Sequence, residues 1–183
     1  MTHPWHDLSA GENAPEIVTA VIEIPRGCKG KYELDKDSGM LKLDRVLYSS
    51  VHYPANYGFI PQTYCEDHDP LDILVITTLE LPPMCLIECR VIGVMRMVDQ
   101  GESDDKIIAV AVHDMSVNHI YDMAGLPPHT SKEIQRFFED YKLLEEKEVR
   151  VDHFLDREEA VEITRESMQM YKDKFSPEAA ILA

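Results

Sequence analysis

The stretch LDILVIT, residues 71–77, constrains the fold more than any other: it is apolar on both faces of an extended chain, so it reads as a strand buried on both sides. Its neighbours are strand-like too. IVTAVIEIP is β-branched and apolar and is stopped by Pro25-Arg26-Gly27. KYELD and LKLDRVLY are short alternating segments around KDSGM, whose Asp37-Ser38-Gly39 suits a hairpin turn. CLIECRVIGVMRMV and KIIAVAV supply further strands, joined by the acidic connection DQGESDD. VHYPANYGFIPQTY, with two prolines and a glycine, reads as a rigid, aromatic-packed loop. Many short strands at close spacing predict a barrel or a sandwich.

The last third is helical. HTSKEIQRFFEDYKLLEE has Thr130 three residues before Glu133, a capping-box pattern, and Ile134, Phe137, Phe138 and Tyr141 define one apolar face. DREEAVEITRESMQMYKDKF opens on Asp156 and Glu159 in the same arrangement, carries Lys172 and Lys174 in its last turn, and is closed by Ser176-Pro177. KEVRVDHF between them is a short strand. The expected architecture is mainly β with flanking helices: a small barrel with two helices packed against it, in a single domain spanning 1–183.

A net charge of -16, from 34 acidic against 18 basic residues, repels phosphate backbones and anionic membranes and argues against a nucleic-acid-binding barrel, which needs a basic groove. No apolar run approaches the ~20 residues of a membrane span, and MTHPWHDLSAGENAPE lacks the pattern of a signal peptide. Cys28, Cys65, Cys85 and Cys89 form no CxxC pair and read as free thiols in a reducing cytoplasm.

The doubly apolar strand is preceded by an acidic cluster, CEDHDPLD, with Asp67, Asp69 and Asp72 inside six positions. Two carboxylates ~4 Å apart repel by about 4 kcal/mol at an effective dielectric of 20. The cluster is therefore either a solvated acidic turn or a seat for a hard cation with oxygen ligands. It is not an EF-hand: counted from Asp67, the sixth position is Asp72 instead of Gly and the twelfth is Thr78 instead of Glu. Asp99 and Asp104 flank a second turn, MVDQGESDDKIIAV, which is either a solvated hairpin end or half of a multi-metal pocket. Lys31 and Glu33 share a strand face; Arg45 stands among apolar residues and needs a partner, in a salt bridge or in a site. Tyr53, Tyr57, Tyr141 and Lys142 complete the polar groups in apolar surroundings.

VIEIPRG, KYELDKDSG, LDRVLYSSVHYPANYGFIPQT, DHDPLDILV, RVIGVMRMVDQGESDDKIIAV and RFFEDYK, in that order from about Ile17 to Tyr171, resemble soluble family I inorganic pyrophosphatases, with DHDPLD similar to the family's D-x-D-P-x-D signature. The resemblance implies an OB-type five-stranded barrel flanked by helices, with an acidic cavity at its surface. It implies hydrolysis of pyrophosphate by Mg²⁺-activated water, with Mn²⁺ or Zn²⁺ as possible substitutes. Asp67, Asp72, Asp104 and Asp99 match metal ligands, and Glu23 matches a carboxylate that holds a further ion. Asp69 matches the general base. Lys31, Arg45, Tyr57, Lys106, Tyr141 and Lys142 match phosphate-binding groups, with Glu33 and Tyr53 lining the same cavity. A cytoplasmic homohexamer is the expected state. Two positions depart from the family pattern. His68 stands where a small or short polar residue is usual and is expected to point outward, and Gln100 follows Asp99 where many bacterial members carry Glu.

Overall fold

A computed structural model describes residues 2–147 and 149–175. Five strands close a ring by hydrogen bonding: β1 (Ile17–Ile24), β4 (Asn56–Phe59), β5 (Asp72–Ile76), β8 (Lys106–Ala111) and β6 (Leu86–Asp99), which returns to β1. This is the expected OB-type barrel. The 14 residues of β6 allow its first part to pair with β1 and its last part with β9 (Val149–Leu155), while β7 (Glu102–Ser103) folds back on its end. β2 (Gly30–Leu34) and β3 (Leu41–Val46) form a separate two-stranded hairpin.

LDILVIT is covered on both sides. Leu74 joins a core that includes Ile134, Phe137 and Phe138 of helix α1 (Pro128–Asp140). Ile73 and Val75 join a second core with Ala160 and Val161 of helix α2 (Arg157–Phe175). β5 runs antiparallel to β4 but parallel to β8, the one parallel pairing among the described strands, with Asp72 opposite Lys106.

The loop expected over VHYPANYGFIPQTY contains the fully buried strand β4. Its Asn56 is a buried polar side chain, satisfied by accepting from the amides of Arg26 (3.0 Å) and Leu81 (2.9 Å) and donating to the Leu79 carbonyl (3.0 Å). Neither Asn nor Gly has strand propensity, which hides the element from a sequence reading. Gly58 is required by close approach: a Cβ there would stand 1.9 Å from the Val21 carbonyl oxygen.

The helices also differ in detail. α1 starts at Pro128 with no side-chain cap, so Thr130 and Glu133 lie inside the helix instead of forming a capping box. Proline at the first position presets φ and has no amide hydrogen to cap. α1 stops at Asp140; a 3-10 turn over Leu143–Glu145 and a left-handed Glu146 (φ 56°) end the segment that was expected to continue as helix. At α2, Asp156 caps as expected, accepting from the amides of Glu158 (2.9 Å) and Glu159 (3.2 Å). The Ser176-Pro177 stop lies outside the described residues. All four cysteines are free, and no described helix is long and apolar enough to cross a membrane.

Gly58→Ala is expected to destabilise the fold by roughly 2 kcal/mol or more, because backbone must move to admit the methyl group. Urea unfolding of the two proteins checks this.

Candidate active site

The parallel pairing of β5 and β8 puts their first residues side by side at one end of the barrel. There the buried Lys106 ammonium donates to Asp72 (2.6 Å) and to Asp104 (2.8 Å), and the Tyr57 hydroxyl also donates to Asp72. Burial works against the Lys106 charge, but the Asp104 and Asp72 carboxylates outweigh it and hold the ammonium well above the ordinary lysine range. Burial raises the Asp104 carboxyl, although Lys106 opposes the shift. Asp99 ends β6. The two-residue turn Gln100-Gly101, with φ of 51° and 94°, then returns the chain so that Asp104 faces the same mouth. Both turn residues are left-handed, as a type I′ hairpin requires. The Lys142 ammonium, just beyond α1, pairs with Asp99.

Glu23 reaches the site because the β1–β4 register slips between Ile22 and Ile24, leaving it as the extra residue of a bulge. Its Oε1 accepts from the Leu34 amide (2.6 Å) at the turn end of the β2–β3 hairpin. Burial, and then the Asp72 charge, push its carboxyl up to about 8. The hairpin brings Lys31, whose ammonium pairs with Glu33 (2.9 Å) and Asp44 (3.3 Å).

The acidic loop is shaped by its own backbone. Asp67 accepts from the Asp69 amide (3.0 Å), the Cys65 amide donates to the Asp69 carbonyl (2.9 Å), and His68 is left-handed at φ 70°. Gly adopts that left-handed conformation freely, and His is among the side chains that tolerate it better than most. The His68 ring points outward as expected, exposed and hydrogen-bonded through Nδ1 to the Tyr64 hydroxyl (2.7 Å). Although Asp67 as a whole is exposed, local desolvation at the cavity edge is the first cause that pushes its carboxyl up to about 6, with the neighbouring aspartates adding to it.

A cavity of about 530 Å³ opens among these groups. Glu23, Lys31, Glu33, Tyr57, Asp67, Asp69, Asp72, Asp99, Asp104, Lys106, Tyr141 and Lys142 all line it. Tyr53 and Arg45 do not. Tyr53 is 2% exposed and sits behind Tyr57, ring centroids 5.4 Å apart, so its place is in the supporting core instead of the cavity wall. Arg45 lies across the hairpin from Lys31, donates to Glu145 (2.8 Å) and pairs with Asp44; its Nη2 is buried without a partner. The cavity wall also holds Trp5, Lys36 and Lys42, which no motif singled out. Lys36 follows the strand inside KYELDKDSG, beyond the alternation that marks Lys31 and Glu33, and Trp5 belongs to an N-terminal segment without periodicity.

Nine carboxylates and five lysines line the cavity, so it carries an excess of negative charge. Among the described residues no ready-made cluster of three or more ligands converges on one point; Lys106 stands between Asp72 and Asp104. The donor set nevertheless fits hard divalent cations: every acid is an oxygen ligand, Asp99 Oδ1 is buried without a partner, and the Glu23 and Asp67 carboxyls are raised in a way that an added positive charge would relieve.

The model of a family described as inorganic pyrophosphatase matches residues 20–172. The chain belongs to the inorganic pyrophosphatase family. It is 56% identical over 176 residues to soluble inorganic pyrophosphatase 2 of Chlamydomonas reinhardtii, covering 96% of this chain and 92% of the relative. Soluble inorganic pyrophosphatase 1 of Arabidopsis thaliana is also 56% identical, over 171 residues, covering 93% of this chain and 81% of the relative. The crystal structure of the inorganic pyrophosphatase from Thermus thermophilus superposes with a TM-score of 0.89 at 44% identity, covering 94% of this chain and 99% of the other.

Because the Glu23 carboxyl lies at about 8 in the folded protein against an ordinary 4.5, the fold takes up a proton between those values and loses stability as pH rises through that window. In metal-free protein, Glu23→Gln should therefore be more stable than the parent at pH 8, on the order of 4 kcal/mol, and nearly equal to it near pH 4.5. Urea unfolding in chelator at the two pH values measures the difference.

Proposed function

We propose that this chain, as a single catalytic domain over residues 1–183, hydrolyses inorganic pyrophosphate to two orthophosphates with Mg²⁺ as the metal and Mn²⁺ or Zn²⁺ as possible substitutes. The observation that carries the reading is the convergence of family-matched carboxylates and lysines on one cavity at the barrel mouth. Its relatives bear the name soluble inorganic pyrophosphatase.

Asp67, Asp72, Asp99 and Asp104 would hold the metal ions, with Glu23 supporting a further one. Bound divalent cations lower the pKa of water and offset substrate charge. Asp69 accepts the proton of the attacking water. Its carboxylate is half exposed at the cavity edge, within reach of solvent. Lys31 and Lys142 meet phosphoryl oxygens from the cavity wall; Arg45, across the hairpin from Lys31, would join them only once its guanidinium turns out of its ties to Glu145 and Asp44, where its Nη2 is buried without a partner. The Tyr57 and Tyr141 hydroxyls remain protonated donors, because burial raises both above the ordinary phenol. Lys106 holds Asp72 and Asp104 at a fixed spacing while offering positive charge to the cavity. Holding both phosphates in line supplies the orientation that the displacement needs.

Phosphate release from pyrophosphate at pH 8 should be fast with Mg²⁺ and vanish on chelation. Asp69→Asn should lower turnover by about 100-fold or more, while Asp72→Asn should raise the metal concentration needed for half-maximal rate. Unchanged turnover in Asp69→Asn would remove that residue from its role.

We also propose a cytoplasmic homohexamer, with α1 as one contact surface. Light scattering at micromolar protein is expected to give six times the chain mass; a monomer there overturns the assembly.

A further inference from the structure

Lys36 stands on the turn between β2 and β3, outside the set of matched phosphate and metal groups, yet its ammonium reaches across the cavity edge to the acidic loop. It pairs with the Asp69 carboxylate and donates to the His68 carbonyl (3.1 Å). Both side chains of the pair are about half exposed, 46% and 48%, so the pair adds little to stability. Two attachments to adjacent residues do something else: they fix the direction in which the Asp69 carboxylate points.

The turn that carries Lys36 is itself held. Asp35 accepts from the Ser38 amide (3.1 Å), and the Gly39 amide donates to the Asp35 carbonyl (2.8 Å). An N-terminal segment lies against it. His3 Nε2 donates to the Lys36 carbonyl (2.9 Å), and a Cβ on the left-handed Gly39 (φ 68°) would come within 3.0 Å of the His3 ring. The same segment is fastened to the residues just before the acidic loop. The Trp5 indole donates to the Thr63 carbonyl (2.8 Å), the Gln62 amide to the Trp5 carbonyl (2.9 Å), and the Gln62 side chain to the His6 carbonyl (3.0 Å). Trp5 is 3% exposed. The contacts close a circuit: Lys36 to His3, along the chain to Trp5, across to Gln62 and Thr63, along the loop to Asp69, and back to Lys36.

We infer that Lys36 is a positioning residue for Asp69, buttressed by the N-terminal segment. This rests on the reading of Asp69 as the proton acceptor. Without the ammonium the carboxylate loses its fixed heading, and a displacement of about 1 Å in an aligned reaction costs on the order of ten- to a hundredfold in rate. Arginine can reach the same carbonyl and carboxylate, whereas methionine keeps the bulk and makes neither bond.

The test compares the parent protein with Lys36→Met and Lys36→Arg, measuring kcat and KM for pyrophosphate and amide hydrogen exchange over residues 65–69. The expected result is kcat about tenfold lower in Lys36→Met with KM within about twofold, most of the rate restored in Lys36→Arg, faster exchange in the Met variant alone, and one common unfolding midpoint. A raised KM with unchanged kcat would make Lys36 a substrate contact and overturn the inference. So would a rate in the Arg variant as low as in the Met variant. Should the parent release no phosphate, the proposed reaction fails; exchange that is equal in all three proteins removes the bracing role whatever the activity.

Discussion

The ammonium of Lys106 is the interaction on which the rest of the site depends. It is buried and lies between two carboxylates that belong to different parts of the chain, Asp72 at the start of β5 and Asp104 just ahead of β8. An unpaired charge in that position would be costly, and two carboxylates without it would repel each other across the same space. The parallel pairing of β5 with β8 makes the arrangement possible: only strands that start from the same end of a sheet bring their first residues together. Barrel closure and site assembly are thus one event, since the ladder that completes the ring also sets Asp72 beside Lys106.

Two local irregularities do the remaining placement. A regular β1 would alternate Glu23 according to the strand period; the slip opposite β4 lets it point at the mouth while Ile22 and Ile24 stay in separate cores. The tight turn at Gln100-Gly101 does the same for Asp99 and Asp104, returning the second acid toward the first within a few residues. Neither device depends on the identity of the acid itself.

Much of this was legible in the sequence because it rests on patterns that burial enforces. LDILVIT must be covered twice and is; the Asp37-Ser38-Gly39 stretch lies in the turn between β2 and β3; Asp156 caps the second helix. The ordered motifs gathered nearly every polar group that lines the cavity. What stayed hidden has physical reasons. β4 has Asn and Gly in a strand of four residues, where a satisfied amide and a close backbone approach replace β propensity. The start of α1 at Pro128 is fixed by proline geometry, against the pull of the Thr130–Glu133 pattern. Tyr53 precedes β4 and sits behind Tyr57, whose hydroxyl reaches Asp72 from within the strand, and that ordering is a tertiary property. Lys36 and Trp5 reach the site through contacts between segments far apart in sequence, which no spacing rule records.

The β2–β3 hairpin divides the labour of the site in a way that composition does not reveal. Its strands pair with each other and with no strand of the ring. It is tied to the barrel by Leu34 packing on Val21 and Phe59 and by individual polar groups, the Leu34 amide on Glu23 and Lys36 on Asp69, while Arg45 ties it to Glu145 in the turn after α1. The aspartates therefore stand on a closed frame, while Lys31 and Arg45 ride on an arm held to that frame partly by apolar packing of Leu34 and Tyr32 and partly by polar and ionic groups. A change in the balance of charge at the mouth thus bears on the polar part of that hold, whereas the Leu34 anchor and the ring beneath rest on apolar burial.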